Sequence, residues 1–288
     1  NTMIYETAKN YKPDLILLGH SYDIESDTLE RIKDYSKNTV ISQWFEDHLA
    51  DTGPDFASNR KKLLKYDNFI KSNFITTHPS TLSFLNKKRN FHYLPIPVDK
   101  NIEKLKIYEN KNQICDVFFS MSHGVNRGKL KRDKIDERHN FITDLITECP
   151  NIIFDIYGYK NREPVWAEDF YKVIVNSKMA LNLTRGKPLK YLTSNRIASL
   201  IGNGLLTFID KKTKLNNFFN SDEVVFYSGL QDLANKINYY KSNDLSRIKI
   251  AKNGRKKYFD LFECQKVADY IISKSFDRDI PKVLKWMD

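Results

Sequence analysis

The amino-acid sequence predicts an α/β fold built from two domains, each with a parallel sheet flanked by helices. Three observations support this prediction. Short apolar runs alternate with amphipathic segments along most of the chain, as in successive βαβ units. Prolines at positions 95 and 97 interrupt the alternation and hold the backbone extended. The length of 288 residues suits two domains of roughly 100 to 150 residues each.

The proline-rich break sets the predicted domain boundaries. Residues 1–97 are predicted to form an N-terminal, acceptor-side Rossmann-like domain, which opens on a helix and is therefore expected to lack the start of the fold. Residues 98–265 are predicted to form a second Rossmann-like domain, with a cleft between the two. Its charged segment from Asn101 to Glu109 is expected to be helical. Residues 266–288 are expected to form a helix or tail that packs back on the first domain.

The chain is strongly basic. Its formal net charge is +11 and its isoelectric point about 9.3, which predicts an anionic partner such as a phosphorylated small molecule, an anionic membrane face or nucleic acid. The alternative is that most lysines are solvated surface, because the charge is spread along the chain. No helix-turn-helix, zinc or RNP signature is present, so specific nucleic-acid binding is not expected.

Cysteine usage and hydropathy indicate the compartment. The three cysteines, Cys115, Cys149 and Cys264, form neither a C-x-x-C pair nor a zinc-ligand pattern, so disulfides and structural zinc are not expected. No apolar run reaches the roughly 18 residues that a membrane span needs. The sequence therefore predicts a cytoplasmic protein, and it leaves open peripheral attachment to the inner face of the membrane.

Three predicted strands of the first domain are each followed by a histidine: His20, His48 and His78. The carboxyl ends of parallel strands lie on one edge of a sheet, so these rings are expected to line the same crevice. An imidazole is well matched to proton transfer at neutral pH, which makes His20 and His48, with Asp47, the candidate catalytic residues. Glu46 is an alternative base, and the alternative role for the histidines is to cap turns.

The stretch from Ser177 to Asp210 predicts a βαβ unit, with strands near 179–183 and 205–209 and a helix near 194–201. Ligands of open parallel sheets bind at the loop that joins a strand's carboxyl end to a helix, where backbone N–H groups attract anions. This loop region carries four basic residues, so an anionic ligand is expected. They are Arg185, Lys187, Lys190 and Arg196. Upstream, the loop from Met121 to Gly128 has the Gly, Ser and Arg content of a phosphate-cradling turn, without a P-loop or G-x-G-x-x-G motif.

Several motifs together resemble the nucleotide-sugar domain of GT-B glycosyltransferases, in particular the CgeB-like group related to glycosyltransferase group 1. They are Asp116–Ser120, Tyr157-Gly158, Ser177–Leu183, the Ser-Asn-Arg start of the helix at 194–196 with its following Gly-Asn-Gly-Leu-Leu-Thr, and Leu230–Ala234. The run from Leu94 to Asp99 is similar to the passage between acceptor and donor domains in that group.

The resemblance implies a glycosyltransferase that moves a sugar from a nucleotide-activated donor to a cell-surface or envelope glycan, or a lipid-linked acceptor. The donor is a substrate, so no cofactor is implied, and no metal is required. Carried over by position, the donor-binding residues fall into four groups. They are Ser122, Gly124 and Arg127 beside the diphosphate, Gly158 under the nucleotide, Asn182, Thr184, Arg185, Ser194, Asn195 and Arg196 around the sugar and phosphates, and Asp232 near the far rim.

One departure from the resemblance affects the mechanism. Many retaining GT-B enzymes carry a Glu-x7-Glu pair whose second Glu opens the helix that here contains Ile197, Ala198 and Ser199, and no Glu stands there or eight residues earlier. Ribose recognition is therefore expected to differ, and retention of configuration is not implied. The alternative function is a catalytically idle protein of the same fold that binds nucleotide or glycan.

Overall fold

The computed structural model describes residues 1–51, 53, 55–85, 90–122 and 137–280. The chain divides into two compact units, one formed by Asn1–Pro95 with the C-terminal segment from Gln265, the other by Ile96–Cys264. In the described part of the chain, no helix is both long and apolar enough to cross a membrane.

The first unit contains a parallel sheet whose strand order follows the sequence. Its strands are β1 (Leu15–Gly19), β2 (Val40–Phe45), β3 (Asn73–Ile75) and β4 (Phe91–Tyr93). Its helices are α1 (Thr2–Tyr11), α2 (Ser26–Tyr35) and α3 (Phe56–Leu63). The helix α2 buries Thr28, Leu29 and Ile32, whose spacing of one, three and four residues places them on one face against the sheet.

The C-terminal helix α9 (Cys264–Ser275) belongs almost entirely to the first unit. Its last residue, Ser275, shares a buried hydrogen bond of 2.8 Å between hydroxyl oxygens with Ser42 of β2. Its Tyr270 ring meets Phe74 of β3 edge to face at 6.0 Å between centroids. The helix is thus fixed to the sheet by both a polar and an aromatic contact.

The second unit contains a parallel sheet in the order β6-β5-β7-β8-β9. Its strands are β5 (Cys115–Ser120), β6 (Phe154–Tyr157), β7 (Ser177–Asn182), β8 (Leu206–Asp210) and β9 (Val225–Tyr227). Its helices are α4 (Glu137–Glu148), α5 (Ala167–Ile174), α6 (Arg196–Gly202), α7 (Leu230–Ser242) and α8 (Asp244–Phe262). The predicted α/β class with two parallel sheets is confirmed.

The central strands of the second sheet are buried on both faces, which explains their nearly continuous apolar runs. On one face Val117 and Phe119 of β5 belong to the cluster that contains Leu145 of α4 and Ile237 of α7. On the other face Phe118 packs in a separate cluster with residues of α5 and α6. Helices cover both faces, so ligands reach this sheet at its carboxyl edge.

The segment from Asn101 to Glu109 is not the α-helix that its composition predicts. Only Ile107–Glu109 forms a short 3-10 turn, and Lys106 before it has a left-handed backbone with φ of 44°. The backbone N–H groups of Leu105 and Ile107 donate instead to Asn203, at its side-chain and backbone oxygens respectively. Hydrogen bonds to Asn203, at the end of α6, thus take the place of α-helical hydrogen bonds at Leu105 and Ile107.

Candidate functional site

Asn182 is the last residue of β7 and closes the loop that follows this strand. Its side chain is buried, and its amide Nδ2 donates to Thr193 Oγ1 at 2.8 Å. The Ser194 hydroxyl donates to the Asn182 amide oxygen at 3.4 Å. The loop from 183 to 195 is therefore tied back to the strand from which it leaves.

Arg196, the first residue of α6, lies where the carboxyl ends of β5 and β7 meet. Its guanidinium donates to the carbonyl oxygens of Ser120 and of Leu183, the latter at 3.2 Å, and to the Ser194 hydroxyl at 3.1 Å. The same group lies over the Phe119 ring, 5.0 Å from its centroid. These contacts fix a positive charge at the edge of the two central strands.

The first turn of α4 adds groups to this edge that the sequence analysis did not single out. The Glu137 carboxylate accepts the backbone N–H of Gly186, which stands in the loop after β7 with φ of 78°. The neighbouring Arg138 is 6% exposed, which is unusual for a guanidinium. The sequence signal that could have identified these two residues is a predicted helix that starts directly after a segment rich in Gly and Arg.

The other residues predicted around the donor occupy the same edge or fall outside the described residues. Ser122 follows β5 and is half-buried; Thr184 and Arg185 are half-buried in the loop after β7; Asn195 is exposed just before α6. Gly124 and Arg127 lie outside the described residues. The structure thus brings Ser122, Asn182, Ser194 and Arg196 to one edge, and their role in donor binding stays a prediction.

Gly158, directly after β6, has a structural reason to be glycine. Its φ is 71°, and a Cβ atom there would stand 1.7 Å from the carbonyl oxygen of Met121. The backbone of the β6 end thus passes directly against the chain leaving β5. Close packing explains the glycine, and its predicted place under a nucleotide is untested.

Asp232 lies in the first turn of α7, after β9. Its carboxylate accepts the Ser228 backbone N–H at 2.8 Å and the Lys236 ammonium at 2.7 Å. Burial alone would raise the pKa of Asp232, but the hydrogen bonds from Lys236 and Ser228 outweigh it and hold the pKa below its usual range. Two strand spacings separate β9 from β7, roughly 10 Å along the sheet.

In the first unit, His20 follows β1 directly and has a carboxylate partner. Its Nε2 lies 2.8 Å from Glu46 Oε1, and the Tyr22 hydroxyl lies 3.2 Å from its Nδ1. Gly19 pairs with Trp44 in the β1–β2 register. The next residue, His20, therefore lies beside the loop after β2, which begins with Glu46. The His20 backbone is left-handed, with φ of 49°, a conformation that non-glycine residues seldom adopt outside special sites.

The two hydrogen-bond neighbours of the His20 ring indicate which of its nitrogens carries the proton. Burial, together with the charges of Asp47 and Glu46, raises the pKa of Tyr22 to about 12, so this residue remains a donor at neutral pH. Because a carboxylate only accepts hydrogen bonds, the neutral His20 ring carries its proton on Nε2, donates it to Glu46 and accepts the Tyr22 hydroxyl at Nδ1. The result is a hydrogen-bonded series from Tyr22 through His20 to Glu46.

His48 and His78 each accept a hydrogen bond that caps a turn. His48 Nδ1 accepts the backbone N–H of Ala50 at 3.2 Å, and His78 Nδ1 accepts that of Ser80 at 3.2 Å. Both follow strand ends of the same sheet, as predicted, yet they stabilise the chain that leaves those ends. The catalytic roles predicted for His20, Asp47 and His48 stay predictions.

Comparison with known families finds a match in the second half of the chain. Residues 136–273, which begin at α4 and include the candidate edge of β7 and α6, match the family model described as Glycosyl transferase-like. This segment is similar to glycosyltransferase domains. The predicted recognition of a GT-B glycosyltransferase is confirmed at this level, whereas the CgeB-like subgroup stays a prediction. No curated protein matches the chain.

Solved structures similar to this chain share its fold at low sequence identity. HepE of Anabaena, in complex with UDP and glucose, superposes with a TM-score of 0.64 at 12% identity, over 96% of this chain and 81% of that one. Sucrose-phosphate synthase of Thermosynechococcus elongatus gives 0.58 at 10% identity, over 96% and 77%. TarM of S. aureus, in complex with UDP, Fondaparinux and alpha-GlcNAc-glycerol, gives 0.59 at 12% identity, over 94% and 58%.

Proposed function

We propose that this protein transfers a sugar from a UDP-activated donor, bound at the carboxyl edge of β5 and β7, to a hydroxyl group of a cell-surface or envelope glycan. UDP is the first nucleotide to test, because the HepE and TarM structures contain it. The observation that carries the proposal is the fixed guanidinium of Arg196 at that edge, within a glycosyltransferase-family segment.

The position of Arg196 suits stabilisation of the leaving group. Glycosyl transfer releases a nucleoside diphosphate whose negative charge grows in the transition state. A guanidinium already held by the carbonyl oxygens of Ser120 and Leu183 can meet this charge without reorganising. Arg185, in the loop after β7, is the candidate for a second phosphate contact.

We further propose that His20 is the base that takes the acceptor's proton. The Glu46 carboxylate orients the ring through Nε2 and stabilises the imidazolium that forms, so Nδ1 is the proton-accepting atom. The acceptor hydroxyl would take the place that the Tyr22 hydroxyl occupies at Nδ1. Tyr22 thus marks where a hydroxyl group is recognised.

The proposal includes metal-independent transfer by a cytoplasmic protein with a phosphorylated or lipid-linked acceptor. The described residues contain no group of three His, Cys, Asp or Glu side chains placed to hold a metal ion, whereas basic side chains stand at the donor edge. We expect activity in EDTA to equal activity in Mg²⁺ or Mn²⁺. A requirement for either ion would reject this part of the proposal.

Thermal stabilisation by a panel of UDP, GDP, CMP and dTDP tests the donor site. UDP at 100 times its dissociation constant should add about 2.7 kcal/mol to the free energy of unfolding, a shift of a few degrees. Arg196→Lys keeps a positive charge but loses the planar set of N–H donors of the guanidinium, so it should weaken the stabilisation by UDP. Arg255→Lys is the control, because Arg255 also donates to a backbone carbonyl, that of Glu103.

The outcomes separate the proposed enzyme from the alternative binding protein. A UDP response lost in Arg196→Lys and kept in Arg255→Lys supports the donor site. Release of UDP from UDP-glucose in the presence of acceptor then shows turnover, whereas binding without release supports a catalytically idle protein. No response to any of the four nucleotides would reject the site.

A further inference from the structure

The indole ring of Trp44, near the end of β2, packs on the end of β1. Trp44 is the partner of Gly19 in the β1–β2 register. A Cβ atom at Gly19 would stand 2.0 Å from the indole Nε1 and 2.4 Å from Cε2, so the ring lies directly against the glycine backbone. Any side chain at position 19 would take the space that the indole occupies. The glycine thus makes room for an aromatic ring at this strand end.

The same ring lies beside the residue proposed as the base. The ring centroids of Trp44 and His20 are 5.4 Å apart and the ring planes are at 87°, so the two rings meet edge to face. Glu46, two residues after Trp44, accepts from the Nε2 of His20. The end of β2 therefore supplies both the carboxylate partner of His20 and an aromatic surface next to it.

This group of side chains is within reach of a ligand. Trp44 is half-buried, whereas the side chain of His20 is 45% exposed and that of Glu46 is 24% exposed. The distance of 5.4 Å between the two ring centroids is comparable with the width of one sugar ring. A sugar that presents a hydroxyl group to His20 can therefore also contact the indole.

The chemistry of an indole favours one class of acceptor. A pyranose ring has faces made of C–H groups, which pack on the electron-rich face of an aromatic ring and bury apolar area there. An open-chain polyol such as glycerol or ribitol has no rigid face of this kind. An aromatic side chain beside the base thus distinguishes cyclic from open-chain acceptors.

We propose that Trp44 is a binding residue of the acceptor site, and that the accepting unit is a pyranose whose apolar face stacks on the indole while one hydroxyl group bonds His20. The inference rests on the proposed function, in which His20 takes the acceptor's proton. Stacking on Trp44 fixes the orientation of the sugar ring, and this orientation determines which hydroxyl group reaches Nδ1 of His20.

Saturation-transfer NMR on the full chain tests the site without requiring turnover. The probes are the methyl pyranosides of glucose, galactose, mannose and N-acetylglucosamine, and glycerol and ribitol are the open-chain comparisons. Irradiation of the aromatic protons of the protein, with and without saturating UDP, should transfer saturation to the ring C–H protons of at least one pyranoside. Neither polyol should receive it.

Variants of Trp44 then locate the stacking surface. Trp44→Ala should raise the dissociation constant of the bound pyranoside about tenfold, because the aromatic face is lost. Trp44→Tyr keeps an aromatic face, so it should raise this constant only about two- to threefold and serves if the alanine variant does not fold. The matched control is Tyr35→Ala, which removes an exposed aromatic residue of the same unit at the end of α2 and should leave the constant unchanged.

The outcomes separate this inference from the proposed donor site. Pyranoside binding that weakens in the Trp44 variants and not in Tyr35→Ala supports it. Absence of transfer to every pyranoside, equal transfer to the polyols, or an unchanged dissociation constant in the Trp44 variants would each overturn it, whether or not UDP binds. A missing response to UDP, in contrast, rejects the donor site and leaves the comparison of pyranosides with polyols valid.

Discussion

At the scale of single residues, the groups proposed for chemistry are also held by structural hydrogen bonds. Arg196 donates hydrogen bonds to carbonyl oxygens at the ends of β5 and β7. Both ring nitrogens of His20 are hydrogen-bonded, one to Tyr22 and the other to Glu46. Fixed side chains lose little freedom when a substrate arrives, which favours catalysis by preorganised groups. The same bonds mean that substitutions must be chosen to keep the fold intact.

The His20–Glu46 pair predicts a graded loss of rate. His20→Ala should lower kcat by about 10² to 10⁴, the usual contribution of a general base. Glu46→Gln should lower it roughly tenfold, because a neutral amide orients the ring but stabilises its charged form less. Rates of UDP release with acceptor present give both values.

A neighbouring histidine supplies the control for that pair. His78→Asn keeps an acceptor for the Ser80 backbone N–H, as His78 Nδ1 is now, so its rate should match the wild type. A full rate in His20→Ala would exclude His20 as the base.

Gly158 predicts a large loss of stability when a methyl group is added. Gly158→Ala would place Cβ 1.7 Å from the Met121 carbonyl oxygen, at a backbone φ of 71°, and should lower the free energy of unfolding by about 3 kcal/mol or more. Gly229 has φ of 86°, and no atom lies within 4 Å of the position that an added methyl group would take, so Gly229→Ala should cost only the backbone strain, about 1 to 3 kcal/mol, and less than Gly158→Ala. Urea denaturation of both variants makes the comparison, and equal losses would contradict it.

The sequence located several candidate site residues but not their partners. Asn182 and Arg196 could be placed at a strand end and a helix start because apolar runs mark those elements. The pairing of His20 with Glu46 rather than Asp47 depends on strand register and side-chain direction. The burial of Arg138 likewise requires knowledge of tertiary packing.

At the scale of elements, long apolar runs were predicted well and polar segments poorly. The strand expected near 179–183 is observed at Ser177–Asn182, and the helix expected near 194–201 at Arg196–Gly202. The segment from Asn101 to Glu109 was predicted wrongly as a helix, since the backbone N–H groups of Leu105 and Ile107 donate to Asn203. Local composition cannot reveal a partner so distant in the chain.

Glu103, within that segment, predicts a pH effect on stability. Its side chain is 5% exposed, and burial raises its pKa above 4.5, with hydrogen bonds from Asp99 N–H and Tyr171 offsetting only part of the shift. The folded chain therefore holds this proton more tightly than the unfolded chain. The resulting stability is present at low pH and is lost as pH rises from about 4.5 through the raised pKa.

Glu103→Gln isolates this effect, because glutamine has no proton to lose. The free energy of unfolding of the variant, minus that of the wild type, should increase as pH rises above about 4.5. Urea denaturation between about pH 4 and pH 8 measures the difference, over the range where the wild type deprotonates. A flat curve for Glu103→Gln would contradict the prediction.

At the scale of the whole molecule, the net charge of +11 predicts salt-sensitive attraction to anionic surfaces. The protein should sediment with phosphatidylglycerol vesicles at about 50 mM NaCl and be released at about 0.5 M, where the Debye length is much shorter. Phosphatidylcholine vesicles are the uncharged control. No binding at low salt would show that the positive charge is dispersed solvated surface, and would remove support for peripheral membrane attachment.

The bonds of Arg196 also have a consequence for the order of folding. The guanidinium joins Ser120, Leu183 and Ser194, so it links segments that are far apart in the chain. Contacts between distant segments form slowly because long loops must close first. Recovery of UDP binding during refolding should therefore lag behind the return of helical signal, which would make the nucleotide a probe of when the second sheet is complete.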